Sequence, residues 1–315
     1  MTKAMTVVTD NMNMEVNNVM SMLVVDRWLN FIDVSPKSKE AYTKSIKQLF
    51  KYFAENNITQ PTRDDIIAFR NELMKTRKPS TVQLRMVATR LFFRWLSTEG
   101  VYANVADHIK APKIDRGHKR DALTMTQSRN LLTNINTSTL AGLRDKAIIT
   151  LCLTAGLRTI EIVRANVGDL YEKCGRYYLK VQGKGHTDRN DEVLVSSQVY
   201  NLIQAYLIRR GELSDDDALF ASVSNRNNGK RLTSNSVSRI AKNALRNADI
   251  DSKRISAHSM RHFCATQALL NGVNITQVQQ TLRHQNINTT MTYVHAIERM
   301  KNTTEQIVAD SLFAV

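Results

Sequence analysis

A chain of 315 residues with Lys+Arg 44 against Asp+Glu 29, a formal charge of +15, is long enough for two domains and suited to a polyanionic partner such as nucleic acid. No apolar run approaches the roughly 18 residues of a spanning helix, and the opening MTKAMTVVTDNMNMEVNN lacks the continuous apolar segment of a secretory signal, so a cytoplasmic protein without membrane contact is expected. The three cysteines, Cys152, Cys174 and Cys264, form no CxxC pair, which fits a reducing compartment and argues against a disulfide framework or a structural zinc site.

In chain order, SMLVVDRWLNFID and YTKSIKQLFKYFAENN carry apolar residues at helical spacing, the second at Tyr42, Ile46, Leu49, Phe50 and Phe53. Thr62 is placed to cap a third helix bearing Ile66, Ile67, Phe69 and Leu73. Ser80 is placed to cap a fourth, with Leu84, Val87, Ala88, Leu91, Phe92 and Trp95 on one face. These patterns predict a helical N-terminal domain over 18–105. Between Glu72 and Glu99 stand Lys75, Arg77, Lys78, Arg85, Arg90 and Arg94 with no acidic residue. A merely solvated face mixes both signs, so these six are candidate DNA-phosphate contacts. The segment 106–120, with Pro112, Gly117, several charges and little periodicity, reads as a basic linker.

From 121 to 315 the pattern is again helical, interrupted once. TMTQSRNLLTNI and TLAGLRDKAIITLCLTAGLRTIEIVRAN are followed by two β-favouring runs, Tyr177–Val181 and Val193–Val195, joined by a glycine-containing turn. Helices resume at SQVYNLIQAYLIRR and continue through TSNSVSRIAKNALRNA, SAHSMRHFCATQALLNG and NITQVQQTLRH. Asn288 is a candidate cap for one more. The fold class is therefore mainly α with a small β-sheet.

The chemistry is read from a few scattered residues. Around GKG, a phosphate-binding loop would need glycine where Tyr178 stands and Ser or Thr where Gly185 stands, so an ATPase reading fails. What the turn supplies is Lys184, a mobile cation or simply a turn lysine facing water. His258 and His262 share a helix face at a spacing that could bind zinc, but Ser259 occupies the place of a zinc protease's glutamate. Cys264 lies near both histidines in sequence and has no evident orienting partner for a thiol nucleophile. A phosphodiester could instead be attacked without metal, because paired arginines bind nonbridging oxygens bidentately and stay charged. Arg158 and Arg261 are candidates, although each alone is more often a surface or salt-bridging residue. Tyr293, a phenol of pKa about 10, would need proton removal or a positive field to act as nucleophile, and His258, His284 and Lys184 could manage the protons.

Taken together, GLRTIEI, VQGKGHTDR, LFASVSNRNNGKRLT, SAHSMRHFCATQALLNG and VQQTLRHQNINTTMTYVH resemble, in order and approximate spacing, the tyrosine recombinases, also called the phage integrase family, especially its two-domain Xer-like members. The resemblance spans nearly the whole chain. It implies a C-shaped clamp on DNA, built from a SAM-like core-binding domain and a catalytic domain. Arg158 and Arg261 would clamp the scissile phosphate, Lys184 would protonate the departing 5′ oxygen, His258 would assist proton transfer, His284 would hydrogen-bond the phosphate, and Tyr293 would form a 3′-phosphotyrosine. Glu161 matches an acidic position that braces the site, though three residues beyond Arg158 it could equally be an ordinary helical salt-bridge partner. Where many relatives read LGH, this chain reads LRH, so Arg283 replaces a glycine and becomes a further candidate DNA contact.

No cofactor or metal is implied, since the phosphotyrosine conserves the ester's energy. The implied partners are double-stranded DNA with a specific core site and three further copies of the chain, exchanging strands through a four-way junction, with accessory DNA-bending or directionality proteins as candidate additions. The tail, with Ile307, Val308, Leu312 and Phe313, is expected to dock into a neighbouring protomer or to pack on its own domain. About twenty residues before the first helix are too few for an arm-site domain. Two alternatives remain at this point: a type IB topoisomerase relaxing single duplexes, and a DNA-binding regulator with an inactive site.

Overall fold

The computed structural model describes residues 21–114, 121–183, 190–252 and 254–314. The chain divides into two compact units, Met1–Arg116 and Gly117–Val315.

The first unit contains α1 (Met22–Phe31), α2 (Pro36–Glu55), α3 (Arg63–Thr76) and α4 (Pro79–Thr98). Thr62 caps α3 as expected: its side chain accepts from Asp65 N, and Asp65 Oδ2 accepts from Thr62 N at 2.7 Å. The start of α4 departs from expectation. Lys78 is its cap residue and Pro79 its first helical position, because proline has no N–H to leave unpaired there and its fixed φ suits the first turn. The buried face of α4 is also wider than the expected stripe. It includes Val82, Met86, Phe92, Phe93 and Leu96, while Leu84 stays 39% exposed. The cause is that α4 packs against all three other helices of the unit.

Phe92 occupies the centre of that core, with ring centroids 5.3 Å from Trp28, 5.9 Å from Phe50 and 5.8 Å from Phe93. Residues just beyond 105, expected to begin the linker, instead contribute Ala106 and Ile109 to this same core. Their apolar side chains are too few to show periodicity, yet they close the end of the bundle.

The second unit opens with α5 (Met125–Thr133), α6 (Leu140–Thr154) and α7 (Thr159–Arg164), followed by a short 3-10 turn over Val167–Asp169. Three antiparallel strands follow in spatial order β1 (Leu170–Lys173), β2 (Arg176–Val181) and β3 (Asp191–Val195). β1 was not legible because LYEK is short and only half-buried. It is joined to β2 by Cys174 and Gly175, with φ of +52° and +72°, the double left-handed conformation of a tight hairpin turn. Leu179, Val181, Val193 and Val195 turn inward from β2 and β3.

Helix α6 carries Arg144, Asp145 and Lys146 in its first half and turns apolar after them, and Ala147 to Leu153 are all buried. It packs against α8 (Ser197–Arg210) and α10 (Ala257–Leu270), with α9 (Ser234–Asn247) closing the same core. The chain ends in α11 (Ile275–Leu282), α12 (Asn288–Lys301) and α13 (Thr304–Phe313). Asn288 does not cap α12. It is the first helical residue, and its N–H donates to Asn286 Oδ1 at 2.8 Å. Among the described residues no helix is long and apolar enough to cross a membrane.

The position of Phe92 makes a direct test of the first core. Phe92→Ala should cost about 3–5 kcal/mol, as for other fully buried aromatics, read as a lowered urea midpoint with an unchanged transition slope.

Candidate active site

The site is assembled around a carboxylate. Glu161 lies in the first turn of α7, and its side chain has no exposure to solvent. Oε1 accepts from Arg158 Nη1 at 2.7 Å and from Arg283 Nε at 3.3 Å. Oε2 accepts from the Arg158 backbone N–H and from Arg283 Nη2, both at 2.8 Å. Burial alone would raise its pKa, but the Arg283 and Arg158 guanidinium groups outweigh it and hold the carboxyl below the usual range.

Arg158 is the residue that caps α7, and its Nη2 also donates to the Arg283 carbonyl at 3.0 Å. Arg261, on α10, is 1% exposed. It donates from Nη1 to the Gly156 carbonyl and from Nη2 to the Leu282 carbonyl. Each of those nitrogens carries a second N–H. Burial, then repulsion from Arg158, pushes the Arg261 pKa down to about 10, so it is still a cation at neutral pH. Gly156 has φ +58°, and a Cβ there would stand 2.6 Å from Leu282 Cδ2, so the carbonyl that receives Arg261 needs glycine.

Arg283 ends α11 in the left-handed region at φ +53°, and the next residue, His284, begins the turn into α12. His284 Nδ1 is 2.8 Å from the hydroxyl of fully buried Thr290. Burial and the positive charges of Arg261, Arg158, His258 and Arg283 push its pKa down to about 4. The ring is therefore neutral at physiological pH.

Tyr293, on α12, is 5% exposed and packs with Ala265, Val278 and Leu282 in a small apolar cluster. Burial raises the phenol pKa, with Arg261 and Arg158 pulling it back. Its ring stands edge-on to His262 at 5.0 Å and parallel to His284 at 6.4 Å. His262 is in turn edge-on to His258 at 4.9 Å, so the two α10 histidines lead to the phenol. Among the described residues no group of three metal-ligating side chains occurs.

The fold thus gathers Arg158, Glu161, His258, Arg261, His284 and Tyr293. His262 and Thr290 join them through the Tyr293 ring and His284 Nδ1, although the sequence motifs point to neither. The i, i+4 spacing of His258 and His262 was the available signal for the first, and nothing in the sequence marks the second. Lys184 lies outside the described residues; Gly183 before it accepts from Arg164 Nη1 at 3.0 Å. Cys264 is no candidate nucleophile: burial pushes its thiol up to about 11, and it donates to the Thr154 carbonyl at 3.3 Å.

The basic candidates of the first unit divide in two. Arg85 Nη1 donates to the buried Ser45 hydroxyl at 2.9 Å, and Arg90 Nη1 to the Ile109 carbonyl at 3.0 Å, so both hold the bundle together. Lys75 pairs with Glu72 at 2.7 Å in full view of solvent, while Arg77, Lys78 and Arg94 are exposed. Arg283, the seventh candidate contact, is turned inward with its side chain 8% exposed.

The profile of the phage integrase family matches residues 121–300, and that of the phage integrase N-terminal SAM-like domain matches residues 25–100. A tyrosine recombinase XerC of Herpetosiphon aurantiacus is 30% identical over 294 residues, covering 90% of this chain and 91% of that one. A tyrosine recombinase XerD of Listeria innocua is 27% identical over 300 residues, covering 90% and 97%. Among solved structures, XerH site-specific recombinase bound to palindromic difH substrate in a post-cleavage complex is similar in fold. Its TM-score is 0.70 at 18% identity, over 85% of this chain and 80% of that one. A lambda integrase tetramer bound to a Holliday junction gives a TM-score of 0.63 at 17% identity, over 85% and 75%.

Two outcomes follow from this geometry. Gly156→Ala should lower the melting temperature, since a left-handed alanine costs about 1–2 kcal/mol before any clash with Leu282 is counted. His284 has a folded pKa below its unfolded value of about 6.5, so the unfolded chain binds more protons between pH 6.5 and 4. Its contribution to stability is complete above that window and is lost as pH falls through it. Melting curves from pH 7 to 4 should therefore fall less steeply for His284→Asn than for the unaltered protein.

Proposed function

The chain belongs to the phage integrase family, the tyrosine recombinases, and is a site-specific DNA recombinase; on that premise we propose how its side chains divide the work. The observation that carries the reading is the convergence of two guanidinium groups, a neutral imidazole and a phenol within one buried site. Arg158 and Arg261 bind the nonbridging oxygens of the scissile phosphate, where charge gathers in the transition state. Glu161 braces Arg158. With Thr290 donating to Nδ1, His284 carries its proton on Nε2 and offers it to a phosphate oxygen.

Tyr293 Oη attacks phosphorus, forming the 3′-phosphotyrosine as the bond to the 5′ oxygen breaks. The phenol's raised pKa means its proton must leave during attack, and His258, acting beside His262, assists that transfer. Lys184, the residue that follows Gly183, protonates the 5′ oxygen. Attack by a 5′ hydroxyl of the partner duplex then reverses the step, rejoins the strands and releases the tyrosine, so each round conserves its phosphodiesters.

The domains proposed are a core-binding domain over 18–105 to which Ala106 and Ile109 add, a basic linker over the remainder of 106–120 and a catalytic domain over 121–315. A homotetramer working through a Holliday junction is the proposed assembly, as in the junction-bound lambda integrase. The tail supports it: α13 has no buried residue, and Ile307, Val308, Leu312 and Phe313 are 60%, 59%, 74% and 76% exposed, an apolar face suited to a neighbouring protomer. Among candidate DNA contacts of the first unit, the exposed Arg77, Lys78 and Arg94 are the best supported.

The reading is tested on a nicked suicide duplex carrying the core site. The wild type should accumulate a covalent protein–DNA adduct, and Tyr293→Phe should form none while retaining DNA binding. Adduct from the variant would remove Tyr293 from the role. Recombination of two paired sites, against relaxation of a supercoiled plasmid lacking them, separates strand exchange from topoisomerase action.

A further inference from the structure

We infer that Arg283 is a positioning residue for Arg158, acting through Glu161 as the second counter-ion of that carboxylate. The inference rests on the proposed role of Arg158 as a phosphate ligand and adds to it how that ligand keeps its charge available.

The backbone supplies the first argument. At φ +53° a glycine would sit without steric penalty, whereas an arginine crowds its own Cβ against the main chain, so the side chain must repay the conformation. Its contacts show how. Nε and Nη2 lie along both oxygens of Glu161, at 3.3 and 2.8 Å, and Nη1 donates to the Thr281 carbonyl at 2.6 Å. All three guanidinium nitrogens thus bind within the protein, which is the reverse of a contact held out to DNA.

Charge supplies the second argument. A buried carboxylate paired with Arg158 alone would cancel the positive charge that a phosphate needs to meet. With Arg283 on the same carboxylate, the triad of Arg158, Glu161 and Arg283 keeps a net positive charge. The attraction of Glu161 is shared between two forks, so Arg158 is held in place without being neutralised. The Arg283 carbonyl adds a direct hold on Arg158 Nη2 at 3.0 Å. A glycine at 283 could provide that carbonyl but not the compensating cation.

The test is single-turnover cleavage of the nicked suicide duplex at saturating protein. It compares wild type, Arg283→Met, Arg283→Lys, Glu161→Gln and the Arg283→Met/Glu161→Gln double variant, with melting curves to establish folding. Arg283→Met should slow adduct formation roughly 10- to 100-fold, the scale expected for a misplaced reacting group, with DNA affinity unchanged. Arg283→Lys, which keeps the charge and is the milder change to the fold, should recover part of that rate. The double variant should be no slower than Glu161→Gln alone, because without the carboxylate's charge there is nothing for Arg283 to offset. A Met variant cleaving at the wild-type rate overturns the inference, as does a loss confined to DNA affinity, or a Met defect of equal size with and without the Glu161 charge. If the Met variant fails to fold, a Lys variant no faster than Glu161→Gln supports nothing less than rejection, since charge alone would then have failed to rescue. Absence of wild-type adduct would overturn the proposed chemistry and this inference together, whereas wild-type cleavage with an unaffected Arg283→Met overturns the inference alone.

Discussion

A carboxylate removed from water has to be neutralised where it stands, and the candidate site is organised by the way Glu161 meets that demand. Desolvating an ion costs several kcal/mol even after relaxation, and here four N–H donors on two oxygens offset it. Two of those donors belong to Arg158 at the start of α7, and two to Arg283 at the end of α11. The carboxylate therefore ties together segments more than a hundred residues apart in sequence. The turn that carries His284, and the helix that carries Tyr293, follow directly from the tied end of α11. Local structure, packing and candidate chemistry meet at one charge.

The parts of this arrangement that could be read from the sequence are those with a local cause. The helices of the first unit show themselves by apolar spacing, and Thr62 by its place before the run that holds Ile66, Ile67, Phe69 and Leu73. The buried face of α4 exceeds the stripe that its spacing predicts, because a helix touching three neighbours has no single stripe. Arg85 and Arg90 stand off that stripe, and only tertiary structure separates a guanidinium reaching inward to Ser45 or Ile109 from one facing a phosphate. Motif order was enough to nominate Arg158, Glu161, Arg261, His284 and Tyr293, which the fold brings together. It could not reveal what Arg283 touches, because that depends on a left-handed backbone returning the side chain toward α7. His262 was visible only as half of a metal-like pair; its neighbour in space is the Tyr293 ring.

The cations around this carboxylate outnumber it. Arg158 and Arg283 both press on Arg261, and the fall of the Arg261 pKa to about 10 reflects burial first and that crowding second. Protein dipoles and charges fixed before substrate arrives need no reorganisation when charge develops on it. A phosphate entering the site would meet a field already in place, relieving repulsion that folding had imposed.

Tyr293 is held by a different kind of contact. Its ring is a member of an apolar cluster with Ala265, Val278 and Leu282, so dispersion and shape contribute to the aim of the proposed nucleophile, beside its ring contacts with His262 and His284. In a survey of tolerated substitutions, these three aliphatic positions would then count twice: a change of one methyl group there costs stability, as in any core, and also shifts the seat of the Tyr293 ring, so that drift in the hydrophobic interior becomes drift in rate.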